Sequence, residues 1–118
     1  MTGIYFPAGG VNTIVNWESQ SAYKIKVDEE VTLTIAGIPE QNKTLNLAEG
    51  WNLIPLISDQ PVEVAGLFGG IASDVIVIKS IAGTGVYWPQ YEINTLINLQ
   101  PGKAYFVKMS NAGSVSFP

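Results

Sequence analysis

Along most of this chain apolar and polar residues alternate with a period of two, the pattern of half-buried strands. Residues 22–27 put Tyr23, Ile25 and Val27 on one face and Lys24 and Lys26 on the other. An exposed turn, Asp28-Glu29-Glu30, leads to a second alternating run at 31–35 with Leu33 and Ile35 inward. Residues 44–47 and 51–57 read as two short strands, or one strand interrupted at Ala48-Glu49-Gly50. Pro55 ends the pairing or sits at an edge, because it has no N–H to give to a ladder. A helical stripe of Val64, Leu67, Phe68 and Ile71 predicts one short helix near 61–71, capped by Ser58 or Asp59 with Pro61 near its first turn. Residues 74–81 are apolar on both faces and predict a central strand. Ala82-Gly83-Thr84-Gly85 turns it back into Val86-Tyr87-Trp88 as a hairpin partner. Single helical turns are expected at 11–15 and 93–99. Strands follow at 104–109 and 114–117, the first entered through the type II turn signal Pro101-Gly102.

The N-terminal pattern repeats the C-terminal one. Residues 5–35 align with 87–117 at a constant offset of 82 with no gap, and about eight of thirty-one pairs are identical. These include Tyr5 with Tyr87, Pro7 with Pro89, Asn12-Thr13 with Asn94-Thr95, and Ala22-Tyr23 with Ala104-Tyr105. One supersecondary unit has been used twice. The expectation is an all-β single domain over 1–118, a sandwich or barrel-like fold in which each copy gives a hairpin to a common sheet. Residues 1–36 form a half repeat unit and 37–118 a complete one, with its motifs running from about Lys43 to Phe117. A chain that opens inside a unit reads as a segment of a longer repeat array.

Composition narrows the function. The 118 residues are 47% hydrophobic and 14% charged, which fits one packed core and excludes disorder. A net charge of -4, with lysine as the only strong base, argues against nucleic acid as a partner. With no cysteine there is neither a disulfide framework nor a thiolate metal site. With no histidine the commonest general base and metal ligand are missing, and no conventional serine triad can be assembled. No apolar run is long enough to span a membrane, and MTGIYFPAGG lacks a signal-peptide pattern. No cofactor is expected.

Four motifs in order, Gly50-Trp51-Asn52-Leu53-Ile54, Val86-Tyr87-Trp88-Pro89, Ile93-Asn94-Thr95-Leu96 and the run 99–107 (LQPGKAYFV), resemble a repeat module of secreted and surface-exposed bacterial proteins, often C-terminal. The resemblance covers about 43–118 and, more weakly, 5–35. It implies a non-catalytic extracellular module used for adhesion, assembly or domain spacing, located at the cell surface or secreted, with neighbouring repeat units as partners. It carries no catalytic residues.

Two other readings remain open: a carbohydrate-binding module with exposed aromatics, and a self-associating subunit pairing through open strand edges. Candidate ligand contacts are Trp88, Tyr91, Tyr5 and Trp17, for a glycan or a protein surface. Tyr91 stands out because its counterpart is Gly9. The flat indole of Trp51 suits stacking on a sugar ring, but core packing is the favoured expectation, since Trp51 shares a face with Leu53. Asp28-Glu29-Glu30 reads as a solvated turn rather than a calcium site, and Asp59 and Asp74 as a cap and a strand start rather than an acid pair. The glycine-rich stretches 83–85 and 66–70 lack the context of a phosphate loop and read as turns.

Overall fold

The computed structural model describes residues 3–34, 40–81 and 83–118. Near the N-terminus β1 (Tyr5–Phe6) and β2 (Val11–Asn12) make a small hairpin around a 3-10 turn at Pro7–Gly9. β3 (Thr44–Leu47) and β4 (Gly50–Ile54) follow, then β5 (Val62–Glu63) runs directly into a short helix, α1 (Val64–Phe68). A 3-10 segment, Gly69–Asp74, carries the chain into β6 (Val75–Ser80). The last third holds β7 (Val86–Trp88), a 3-10 turn at Pro89–Tyr91, β8 (Ile93–Asn94), β9 (Asn98–Leu99), β10 (Tyr105–Met109) and β11 (Gly113–Ser116).

All the pairings are antiparallel. β4, β10, β6, β7 and β8 form one five-stranded sheet in that order, with β6 at its centre as its two-faced apolar character predicts. β3 pairs with β11 in a separate ribbon, and β5 with β9 in another. The chain passes from ribbon to sheet between β3 and β4 and back again between β10 and β11, so two layers enclose one core. Strict alternation fills it: Leu45 and Leu47 from β3, Tyr105, Val107 and Met109 from β10, and Val115 from β11 are buried while their neighbours are not. From α1, Val64 and Phe68 complete the same cluster, with Leu67 and Ile71 packed against it. The turn into β4 depends on two residues of the Gly-Trp-Asn motif. Gly50 takes a positive φ of 89°, and the Asn52 amide both accepts from Ala48 N–H and donates to Ala48 C=O at 2.9 Å.

The fold is strand-dominated, as expected, but its sheets do not close into a barrel. Several local expectations need correction. The helical turns placed at 11–15 and 93–99 are absent, because those apolar spacings arise from strands folding back: Ile93 pairs with Trp88, and Val11 with Phe6. The helix is preceded by Glu63 with no side-chain cap, while Ser58 Oγ instead accepts from Gln60 N–H in an isolated turn. Trp51 is not in the core. It shares a face with Leu53 as expected, but that face is the outer one, because Ile54 supplies the inward contact. Among the described residues of 22–34 there is no strand, although alternation predicts two; Ile35, the end of the second, lies outside the described residues. The first copy therefore contributes no hairpin to the five-stranded sheet.

The repeat itself is visible atom by atom. Tyr5 pairs with Asn12 as Tyr87 pairs with Asn94. Gly10 and Glu92 close the two 3-10 turns with φ of 68° and 56°. Thr13 Oγ1 accepts from Ile4 N–H at 2.8 Å, and Thr95 Oγ1 accepts from Val86 N–H at 2.9 Å. The tyrosine hydroxyls of Tyr23 and Tyr105 accept from the backbone N–H groups of Glu18 and Gln100, at 2.9 and 2.7 Å. Even the close approaches match: a β-carbon on Gly3 would press on Ile14, and one on Gly85 on Leu96. Each of these pairs is separated by the same 82 residues that the sequence alignment gives.

Candidate functional site

The aromatic residues singled out by sequence fall into two groups on separate hairpins. In the second hairpin the Pro89 turn brings Trp88 and Tyr91 together edge to face, with centroids 4.8 Å apart at 87°. Tyr91 is well exposed, while Trp88 is half-buried with its indole N–H shut off from solvent and unpartnered. That donor is not offered to a ligand. In the first hairpin Tyr5 and Trp17 line one shallow cleft of about 220 Å³ with Asn12, Ile14, Val15 and Asn16. Trp17 also stands edge-on to Tyr23 at 4.5 Å. The offset of 82 places Tyr5 opposite Tyr87, packed on the core, and Trp17 opposite Leu99, inside it. Trp17 thus stands at a core position without a core around it, and Tyr5 at a position that in the second copy rests against the core.

A third aromatic group forms a surface where the favoured sequence reading places Trp51 in the core. On the outer face of the five-stranded sheet Trp51 of β4 meets Phe106 of β10, with centroids 6.0 Å apart at 79°. Lys79 and Lys108 hold their ammonium groups 5.1 and 5.6 Å from the Trp51 ring, and Lys24 lies 4.9 Å from that of Phe106. The register explains the convergence, since Lys108 is opposite Trp51 and Lys79 is opposite Phe106. Half of the six basic residues of a net-negative chain are gathered here. Lys24 also ties the first half unit to the complete one. A second tie lies in the segment before β3, where Glu40 takes hydrogen bonds from Ser19 and the Asn42 N–H that hold its carboxyl below the usual carboxylate range.

Between the half unit and the complete unit lies a larger cleft of about 570 Å³, with Tyr23, Ile25, Ser80, Leu96 and Tyr105 in its wall. Its ionisable lining consists of Lys24, Lys103 and the two tyrosines, with no carboxylate. Asp74 lies elsewhere, accepting from the Asn111 amide at 3.1 Å, and Asp59 sits in an exposed turn, so neither lines either of these two clefts. Asp28, Glu29 and Glu30 point into solvent, and among the described residues no group of three or more acidic side chains is placed to hold a metal ion. No helix among them is long and apolar enough to cross a membrane.

Comparison with protein-family models, with curated proteins and with solved structures yields no match to this chain.

Proposed function

We propose that this chain is a non-catalytic β-module of a secreted or surface-exposed bacterial protein, serving assembly and domain spacing and, through them, adhesion. One observation carries the reading: the same hairpin frame is built twice at a fixed spacing, yet only the second copy has a core packed against it. A module that works by joining to others needs such an open end, whereas an enzyme or a closed binding domain does not. The lack of histidine and cysteine, and a larger cleft without a carboxylate, support the non-catalytic part. Brief protease treatment of intact producing cells should release peptides of this chain into the medium. If they appear only after lysis, the surface role fails.

A second reading, glycan binding, draws on the Trp51–Phe106 face and its lysines, where an indole more than half exposed offers a flat surface flanked by cations. Such a face suits an acidic polysaccharide better than a neutral one. In affinity gels, an acidic glycan should retard the protein and Trp51→Ala should abolish the retardation, leaving Tyr91→Ala unaffected. Retardation lost only with Tyr91→Ala would move the site to the Trp88–Tyr91 pair, and none at all would end the glycan reading.

A further inference from the structure

The first half unit carries a row of apolar side chains facing water, and the second copy shows what such a row is for. Trp17 is 56% exposed and its counterpart Leu99 0%; Ile25 is 61% exposed and Val107 0%. Val27 is 54% exposed against 1% for Met109, and Leu33 62% against 5% for Val115. Four positions that are core in one copy are surface in the other. The polar partners of the alternation keep their sense, with Thr32 and Thr34 exposed like Ser114 and Ser116.

The burial in the second copy has an identifiable source. β10 lies between β4 and β6, β11 pairs with β3, and β9 pairs with β5. All four of these covering strands belong to residues 43–82, and among the described residues no strand pairs with 17–34 in the first copy. The two copies part company where that lack is first felt. In the second copy Ile97 C=O accepts from Val64 N–H, and Leu99 pairs with Val62. In the first, Val15 turns to a positive φ of 65° and Asn16 N–H bonds back to Ile14 C=O. A left-handed conformation is costly for a β-branched residue, so the chain is bent there rather than extended as a strand.

We propose that the row Trp17, Ile25, Val27 and Leu33 is a docking surface for a polypeptide segment of the same kind as residues 43–82, which adds strands on both sides of residues 23–27 and one beside 31–34. This names the partner for the module role proposed above and rests on that reading. A second copy of the chain cannot be the full answer. Residues 1–118 hold two hairpin halves and one complement, so pairing between copies of this stretch leaves one half unit uncovered per copy. The partner must bring its own complement, as strand addition to an open sheet generally requires.

The test fuses a second copy of residues 43–82 ahead of the full chain, so that its residue 82 joins residue 1 and the spacing of the unit is restored. In the fused chain, amide hydrogen exchange at 23–27 and 31–34 should slow by at least about 100-fold relative to the parent chain. Ile25→Asp with Leu33→Asp in the fused chain should return those amides to the parent rate while 105–109 stay protected. Unchanged exchange at 23–34 with 105–109 protected would overturn the proposal. Loss of protection at 105–109 would count against it too, since the extra segment would then have competed for the second hairpin. Slowing in the unfused chain that grows with concentration would assign the surface to a second copy instead. Peptides shaved from cells alongside a negative exchange result would leave the module role standing without this partner.

Discussion

Met109→Ala is expected to lower the unfolding free energy by about 2–5 kcal/mol, and Val27→Ala to leave it within about 0.5 kcal/mol. The two residues occupy equivalent positions in the repeat, and besides the longer side chain of Met109 they differ in what surrounds them. Met109 ends β10 with 1% of its surface exposed, opposite Gly50 on one side and Val75 on the other, and touches the space beside Gly113 and Ile71. Truncating it leaves a cavity that a sheet paired on both sides cannot collapse. Val27 has no strand on either side among the described residues, so its methyl groups lose little when removed. Urea unfolding followed by far-ultraviolet circular dichroism measures both. Equal losses would show that residues 22–34 are packed in solution and that the asymmetry between the copies is not real.

Phe68→Ala should cost about 3–5 kcal/mol, enough to consume much of the roughly 5–15 kcal/mol that holds a domain of this size together. α1 has five residues, too few to persist by backbone hydrogen bonds alone. Its N-terminus has no side-chain cap, and Gly66 lies inside it. What keeps it helical is the burial of Val64 and Phe68, and Phe68, with no exposed surface, is the larger anchor. Removing the ring should therefore also loosen Gly69–Asp74, which links α1 to β6. A loss below about 1 kcal/mol in the same urea experiment would mean that the site collapses and that the helix is held by other contacts.

The sequence showed most clearly what depends on neighbours close in the chain. The β6–β7 hairpin, the stripe Val64, Leu67, Phe68 and Ile71, and the positive φ of Gly102 in its Pro-Gly turn all follow from local pattern. The repeat was legible too, because an ungapped offset preserves many of the local hydrogen bonds, down to those of Thr13 and Thr95. No strand forms over the described residues of 22–27 and 31–35, because alternation marks a segment able to pair, and pairing needs a partner that the segment does not contain. Trp51 failed for a related reason: a period of two tells which residues share a face, but not which face meets the core. The same ambiguity hid the lysine-flanked surface. Lys79 and Lys108 are far apart in sequence and converge only through the register of β6, β10 and β4. The exposure of Tyr91 was legible, because its counterpart in the repeat is glycine. The exposure of Tyr5 and Trp17 was not legible, because the offset maps them onto Tyr87, packed on the core, and Leu99, inside it.

The three indoles sit at the margins of this molecule, in the half unit, on the outer sheet face and beside a hairpin tip, and none is among the core residues. Fluorescence will therefore report on the interior mainly through Trp88, whose indole N–H is shut off from solvent. Emission from Trp17 and Trp51 begins in water and ends in water. An experimenter who melts this protein by its intrinsic glow alone would see a faint transition and mistake a cooperative collapse of the interior for a gradual one.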